Sequence, residues 1–74
     1  MNYYKQPYTN AVALIADTYI IKANRCLLVA YDEGEMYYKT TLAEILENWK
    51  PCTQDDFNDT YSETLNNLLK YAKI

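Results

Sequence analysis

One glycine, Gly34, serves all 74 residues, and only two prolines accompany it. With so little turn material, long loops are hard to build, so the chain must fold into regular elements joined by short connections. We read residues 1–74 as one small domain without linkers, repeats or low-complexity tracts. A chain of this length buries only about 60% of its unfolded surface. Its stability is therefore marginal unless a partner, metal, disulfide or second copy adds to it. Half of the residues are apolar or aromatic, nine of them tyrosines, which supplies a core and argues against a disordered tail.

The glycine sits in Tyr31–Thr41, YDEGEMYYKTT, with Asp32, Glu33 and Glu35 around it. A calcium loop needs oxygen ligands at alternating positions and a closing acid downstream. Here two acids are adjacent and no Asp-x-Asp-x-Asp pattern exists. A phosphate cradle needs several glycines and avoids carboxylates. A tight turn remains, with Gly34 expected to supply a positive φ between two hairpin strands and the acids facing solvent.

The second half reads as helix. Thr41-Leu-Ala-Glu44 has capping-box spacing, and Leu42, Ile45, Leu46 and Trp49 form one stripe until Pro51 stops it. Thr53 is placed to cap a second helix. Asp55, Asp56 and Asp59 lie in its first turns and Lys70 and Lys73 in its last, as the macrodipole favours. Phe57, Tyr61, Leu65, Leu68 and Ala72 form its apolar stripe. In the first half, CLLVAY (26–31) suits a buried strand and the aromatic MYYKT (36–40) a second. VALIADTYIIK (12–22) alternates as a strand, yet residues 11–23 also align as a helix capped by Asn10. The β-branched TYII favours the strand. The expected fold is α+β: a three-stranded antiparallel meander (12–22, 26–31, 36–40), then two helices (42–50, 54–72) packed on one face. The alternative order is α-β-β-α-α.

Composition removes most chemistry. There is no histidine, so neither Cys26 nor Cys52 has the usual imidazole base. Ser62, the one serine, falls inside the second predicted helix. The cysteines stand 26 apart with no CxxC, a weak zinc set, and are read as buried reduced thiols. No glycine-rich nucleotide motif is present. We therefore expect no enzyme, no metal and no cofactor. The longest apolar run, Ala11 to Ala16, is too short for a bilayer, and no signal-peptide pattern opens the chain. The expectation is a cytoplasmic protein.

The net charge of −3 hides a strong asymmetry. From Asp32 to Glu63 nine acids (Asp32, Glu33, Glu35, Glu44, Glu47, Asp55, Asp56, Asp59, Glu63) face two bases (Lys39, Lys50), a local net of −7. Such a middle is either a solvated face that keeps a small protein soluble or a docking surface for a basic groove. Tyr3, Tyr4, Tyr8, Tyr37 and Tyr38 suggest base stacking. An acidic chain without a basic stripe argues against direct nucleic-acid binding. Tyrosine at this density suits a protein interface instead, with half of the rings filling the core.

Abundant Asn, Tyr, Lys and Ile with scarce Gly and Pro resembles what AT-rich bacterial and phage genomes encode. Small acidic proteins of this type are similar in kind to nucleic-acid mimics and anti-CRISPR proteins, although no motif here matches one such family. The leading expectation is a non-enzymatic protein-binding module, an inhibitor whose nine acids and Tyr37 dock on a basic nucleic-acid-binding site of a host protein. The alternative is a small self-associating structural or regulatory subunit with acids for solubility only. A homodimer fits either, because a meander leaves two open edges, one of which NYYKQPY (2–8) is expected to cover.

Overall fold

The computed structural model describes residues 2–72. Five strands and two helices follow in the order β1 (Asn2–Lys5), β2 (Val12–Ile15), β3 (Tyr19–Ala23), β4 (Leu28–Asp32), α1 (Tyr38–Asn48), β5 (Lys50–Pro51) and α2 (Gln54–Ala72). The strands form one antiparallel sheet in the order β4-β3-β2-β1-β5. The fold is thus α+β as expected, but several of its parts differ from the sequence reading.

The meander has more strands and different borders. Residues 12–22 are neither one strand nor a helix. They break at the Asp17–Thr18 loop, closed where the Ala16 N–H donates to the Tyr19 carbonyl (2.9 Å), and both halves pair in the sheet. NYYKQPY does not merely cover an edge: its first part is β1, paired with β2 on one side and β5 on the other.

Residues 36–40 are not a strand. Tyr38, Leu42, Ile45 and Trp49 share one helical stripe at spacings of four, three and four. Burial of that stripe outweighs the strand preference of the aromatic pair. Helix α1 therefore starts four residues before the expected Leu42. Tyr37 stands at its N-cap without a side-chain cap bond, so the capping box at Thr41 and Glu44 is absent and Thr41 is buried in the second turn. The capping box lies one helix later. The Thr53 hydroxyl accepts from the Asp56 N–H (3.1 Å), and the Asp56 carboxylate accepts from the Thr53 N–H (3.4 Å). Helix α2 matches the expected 54–72, although Lys73 of the expected basic last turn lies outside the described residues.

The helices do not share a face of the sheet. Cross-strand partners point the same way. Tyr4, Ala13 and Lys22 thus lie on one side with Ile15, Ile20 and Tyr31, whereas Tyr3, Leu14 and Ile21 lie on the other with Val12, Ala23 and Leu28. The first set packs with Tyr38, Leu42, Ile45 and Trp49 of α1, and the second with Phe57 and Tyr61 of α2. The unbroken run AVALI is the cause, because a strand apolar at every position must be covered on both sides. Helix α1 is about 16 Å long at 1.5 Å per residue, close to the roughly 19 Å between the outer strands of a five-stranded sheet. It leads the chain across one face, from β4 at one edge to β5 at the other.

Trp49 lies 94% buried at the C-terminal end of α1 (6% exposed), with the Lys22 ammonium 5.5 Å from its ring centre. Trp49→Ala is expected to cost about 3–5 kcal/mol in chemical denaturation, as large aromatic truncations do. Leu46→Ala, on the same helix but 57% exposed, should stay within about 0.5 kcal/mol of the wild type. Equal losses in the two variants would remove Trp49 from the core.

Candidate protein-binding surface

The expected hairpin at Gly34 does not exist. Gly34 has no positive φ, and a Cβ there would meet nothing within 4 Å. The Asp32–Glu35 segment is instead a turn into α1, held by the Glu35 N–H on the Asp32 carbonyl (2.8 Å). The tight hairpin lies earlier, between β3 and β4, where Arg25 takes a φ of 81°. The Asn24 side-chain oxygen accepts from the Cys26 and Leu27 N–H groups (3.2 and 2.9 Å) and braces this turn from inside.

Helix α2 braces it from outside. The Thr64 hydroxyl accepts from the Arg25 N–H and donates to the Thr60 carbonyl, both at 2.8 Å. The Asn67 amide donates to the Arg25 carbonyl at 2.7 Å. Glu63 meets the Arg25 guanidinium at 3.1 Å, the one ion pair among the described residues. Both of its side chains are about half exposed, so the pair itself contributes at most about 1 kcal/mol. Sequence reasoning missed Arg25, Thr64 and Asn67. The one trace of them is Thr64 beside Leu65 in the apolar stripe, a hydroxyl where a core position would take a hydrocarbon.

All nine acids of the middle segment are exposed, but they do not converge. Asp55, Asp56, Asp59 and Glu63 lie on α2, on one side of the sheet. Glu44 and Glu47 lie on α1, on the other side, and Asp32, Glu33 and Glu35 lead into α1. Two of the α2 acids have structural partners, Asp56 in the cap and Glu63 on Arg25. On α1 the spacing places Tyr37, Glu44 and Glu47 along one outward stripe. Tyr37 is 58% exposed and Met36 beside it 80%. The α1 side therefore carries Glu44 and Glu47 with an exposed tyrosine and methionine at the head of the helix. Asp32 falls on the α2 side by strand alternation, and Glu33 and Glu35 lie in the turn between.

The other tyrosines divide as a small core requires. Tyr3 meets Phe57 at 5.5 Å and Tyr61 stacks on Phe57 at 5.4 Å, while Tyr4, Tyr31 and Tyr38 pack on the α1 side. Tyr8, Tyr19, Tyr37 and Tyr71 remain exposed. Cys26 is not buried in a strand as expected but exposed in the Arg25 turn. Burial pushes the Cys52 thiol up, and the Asp56 carboxylate acts in the same direction against Lys5. Among the described residues no three His, Cys, Asp or Glu side chains gather as a metal set, and no helix is long and apolar enough to cross a membrane. A hollow of about 150 Å³, lined by Gln6, Ala11, Lys22, Leu27, Val29 and Tyr31 among others, lies beside β4. Compared with known proteins, the chain matches no protein family, no curated protein and no solved structure.

Thr64→Val keeps the side-chain shape but leaves the Arg25 N–H without its acceptor, an expected loss of about 1–3 kcal/mol. Thr64→Ser restores the hydroxyl and should recover most of that loss in the same denaturation assay. The thiols should also separate. At pH 8 Cys26 is expected to react with an alkylating reagent well before Cys52, because the thiolate is the nucleophile and Cys52 forms it less readily. Peptide mapping after partial labelling checks the order, and faster labelling at Cys52 would contradict it.

Proposed function

We propose that the protein is a non-enzymatic protein-binding module that docks through the α1 side of the sheet on a basic surface of another protein. The observation that carries this reading is the set Glu33, Glu35, Tyr37, Glu44 and Glu47, exposed in the β4–α1 turn and along the outer stripe of the helix. Glu44 and Glu47 make no hydrogen bond or ion pair among the described residues, in contrast to Asp56 and Glu63 on α2. Like charges grouped without structural return oppose the compact state and favour a cationic partner. Tyr37 and Met36 add apolar contact area of the kind found at the centre of interfaces.

The partner surface that best fits a row of carboxylates is one built for phosphates. Docking on the nucleic-acid-binding groove of a host protein would exclude its nucleic acid, which makes the protein an inhibitor. This is the mode of nucleic-acid mimics and of anti-CRISPR-like proteins. The acids of α2 then serve the cap, the Arg25 turn and solubility.

Affinity capture from a lysate of the expressing cells tests this reading, with the wild type compared to two variants. Glu44→Lys with Glu47→Lys reverses the α1 stripe. Asp55→Asn with Asp59→Asn neutralises the α2 acids that make no side-chain hydrogen bond or ion pair among the described residues. Capture should be lost between about 0.1 M and 1 M salt, as the screening length falls from about 10 Å to 3 Å. It should also be lost in the α1 variant and kept in the α2 variant. Capture insensitive to salt and to the α1 substitutions would move the interface elsewhere on the molecule.

A further inference from the structure

The two edges of the sheet are not alike. At one edge β5 is two residues long and ends in Pro51, which has no N–H to offer. At the other, β4 runs for five residues, Leu-Val-Ala-Tyr-Asp, without proline, lysine or bulge. The principal helix contacts fall on β1, β2 and β3. Strand β4 therefore lacks most of the devices by which edge strands are kept from pairing.

The direction of its backbone groups follows from the bonds at its two ends. The Asn24 N–H donates to the Leu27 carbonyl and the Glu33 N–H to the Thr18 carbonyl. Both bonds belong to the β3–β4 register. In an antiparallel ladder such pairs alternate, so Leu27, Val29, Tyr31 and Glu33 direct their N–H and C=O groups towards β3. Leu28, Ala30 and Asp32 direct theirs outward, to the open edge.

We infer that β4 pairs with β4 of a second copy, antiparallel and with the two-fold axis at Ala30, to give one continuous ten-stranded sheet. In this register the two Ala30 residues exchange both N–H···O=C bonds, and Leu28 exchanges both with Asp32 of the other copy. The Asp32 carbonyl already receives the Glu35 N–H, and an oxygen with two lone pairs can accept this second bond. The side chains agree with the register. The residue on the axis is alanine, exposed and small enough to face its own copy. Beside it Val29 faces Tyr31 of the other copy in the close, non-hydrogen-bonded position, where an aliphatic–aromatic pair is favourable. Both are only half buried in one chain and line the hollow next to the edge.

The ends differ in charge. The turn before Leu28 carries Arg25, its guanidinium shared with Glu63 of the same chain, and the Asp32 end runs into Asp32, Glu33 and Glu35. Antiparallel pairing keeps the two acidic ends apart and sets each beside the Arg25 turn of the other copy. Antiparallel pairing shifted by one residue loses the Val29–Tyr31 contacts and turns the paired backbone groups away from each other, and a parallel arrangement sets the two acidic ends side by side.

Sedimentation velocity over a range of protein concentration tests the inference, together with hydrogen exchange read at single amides. The expected result is a monomer–dimer equilibrium with micromolar Kd. With rising concentration the Leu28, Ala30 and Asp32 amides should gain protection, while Val29 and Tyr31 stay protected throughout by β3. Ala30→Pro removes an N–H that β3 does not use, and Ala30→Lys places a charge on the axis. Each should weaken the dimer about tenfold or more, with an unchanged circular dichroism spectrum showing that the fold persists. A monomer at every concentration overturns the inference. So does a dimer whose Leu28, Ala30 and Asp32 amides exchange as fast as in dilute protein. The exchange data decide on the wild type alone if either substitution unfolds the chain.

Discussion

The grip of α2 on Arg25 fixes the relation between the sheet and everything after it. A two-residue hairpin asks for positive φ in its loop, the task usually given to glycine. Here the only glycine lies elsewhere and Arg25 takes the left-handed conformation, which costs an L-residue about 1–2 kcal/mol. Thr64 and Asn67 hold its N–H and C=O, at about 0.5–1.5 kcal/mol for each hydrogen bond, which is enough to offset the strain. These partners lie 39 and 42 residues further along the chain. The turn is therefore not a local structure. It forms in its final shape when α2 docks, and its position sets where β4 begins and how its open edge is presented.

The second constraint is the two-sided burial of β2. Ala13 is fully buried on the α1 side, beside Ile20 of β3, while Val12 and Leu14 are buried on the α2 side. One strand in the middle of the sheet thus belongs to two cores at once. This explains how so short a chain reaches a layered arrangement: each helix covers one side of the same few strands. It also explains the edges. Two helices of these lengths cover the centre of five strands and leave the rim, where β4 lies.

Much of this was legible in the residues, and the failures have identifiable causes. Helix α2 was readable at both ends, since its stripe, its cap at Thr53 and its acidic first turn agree with one another. Trp49 was readable as core. Gly34 misled, because a glycine next to acids is a strong turn signal. The turn is there, but it leads to a helix, and it needs no positive φ. The aromatic Tyr37–Tyr38 pair misled for a related reason. Strand preference is local, whereas Tyr38 belongs to a stripe that ends eleven residues later at Trp49. The Arg25 turn could not be read at all, since its partners lie on a helix whose docking is itself a tertiary event. The acids were legible as exposed, but their distribution was not. Whether nine acids share a face depends on which side of the sheet each helix takes.

That distribution bears on how the two proposed surfaces act together. Pairing through β4 extends the sheet in its own plane, so both helix layers of each copy stay outward and Glu44 and Glu47 of α1 remain free. The paired form would carry −6, twice the −3 of one chain. At long range the copies repel, and added salt weakens that repulsion. At contact the Arg25 turn, its guanidinium shared with Glu63, lies beside the acids of the other copy, and added salt weakens what attraction remains. The two effects oppose each other, and most of the adhesion comes from backbone bonds and the Val29–Tyr31 contacts, which salt hardly touches. Self-association should therefore change little with ionic strength, whereas docking of the α1 acids on a basic surface should fall steeply. A dimer presents two α1 stripes on one rigid sheet. A partner with two basic grooves at matching distance would then meet both with the second contact made at high effective concentration.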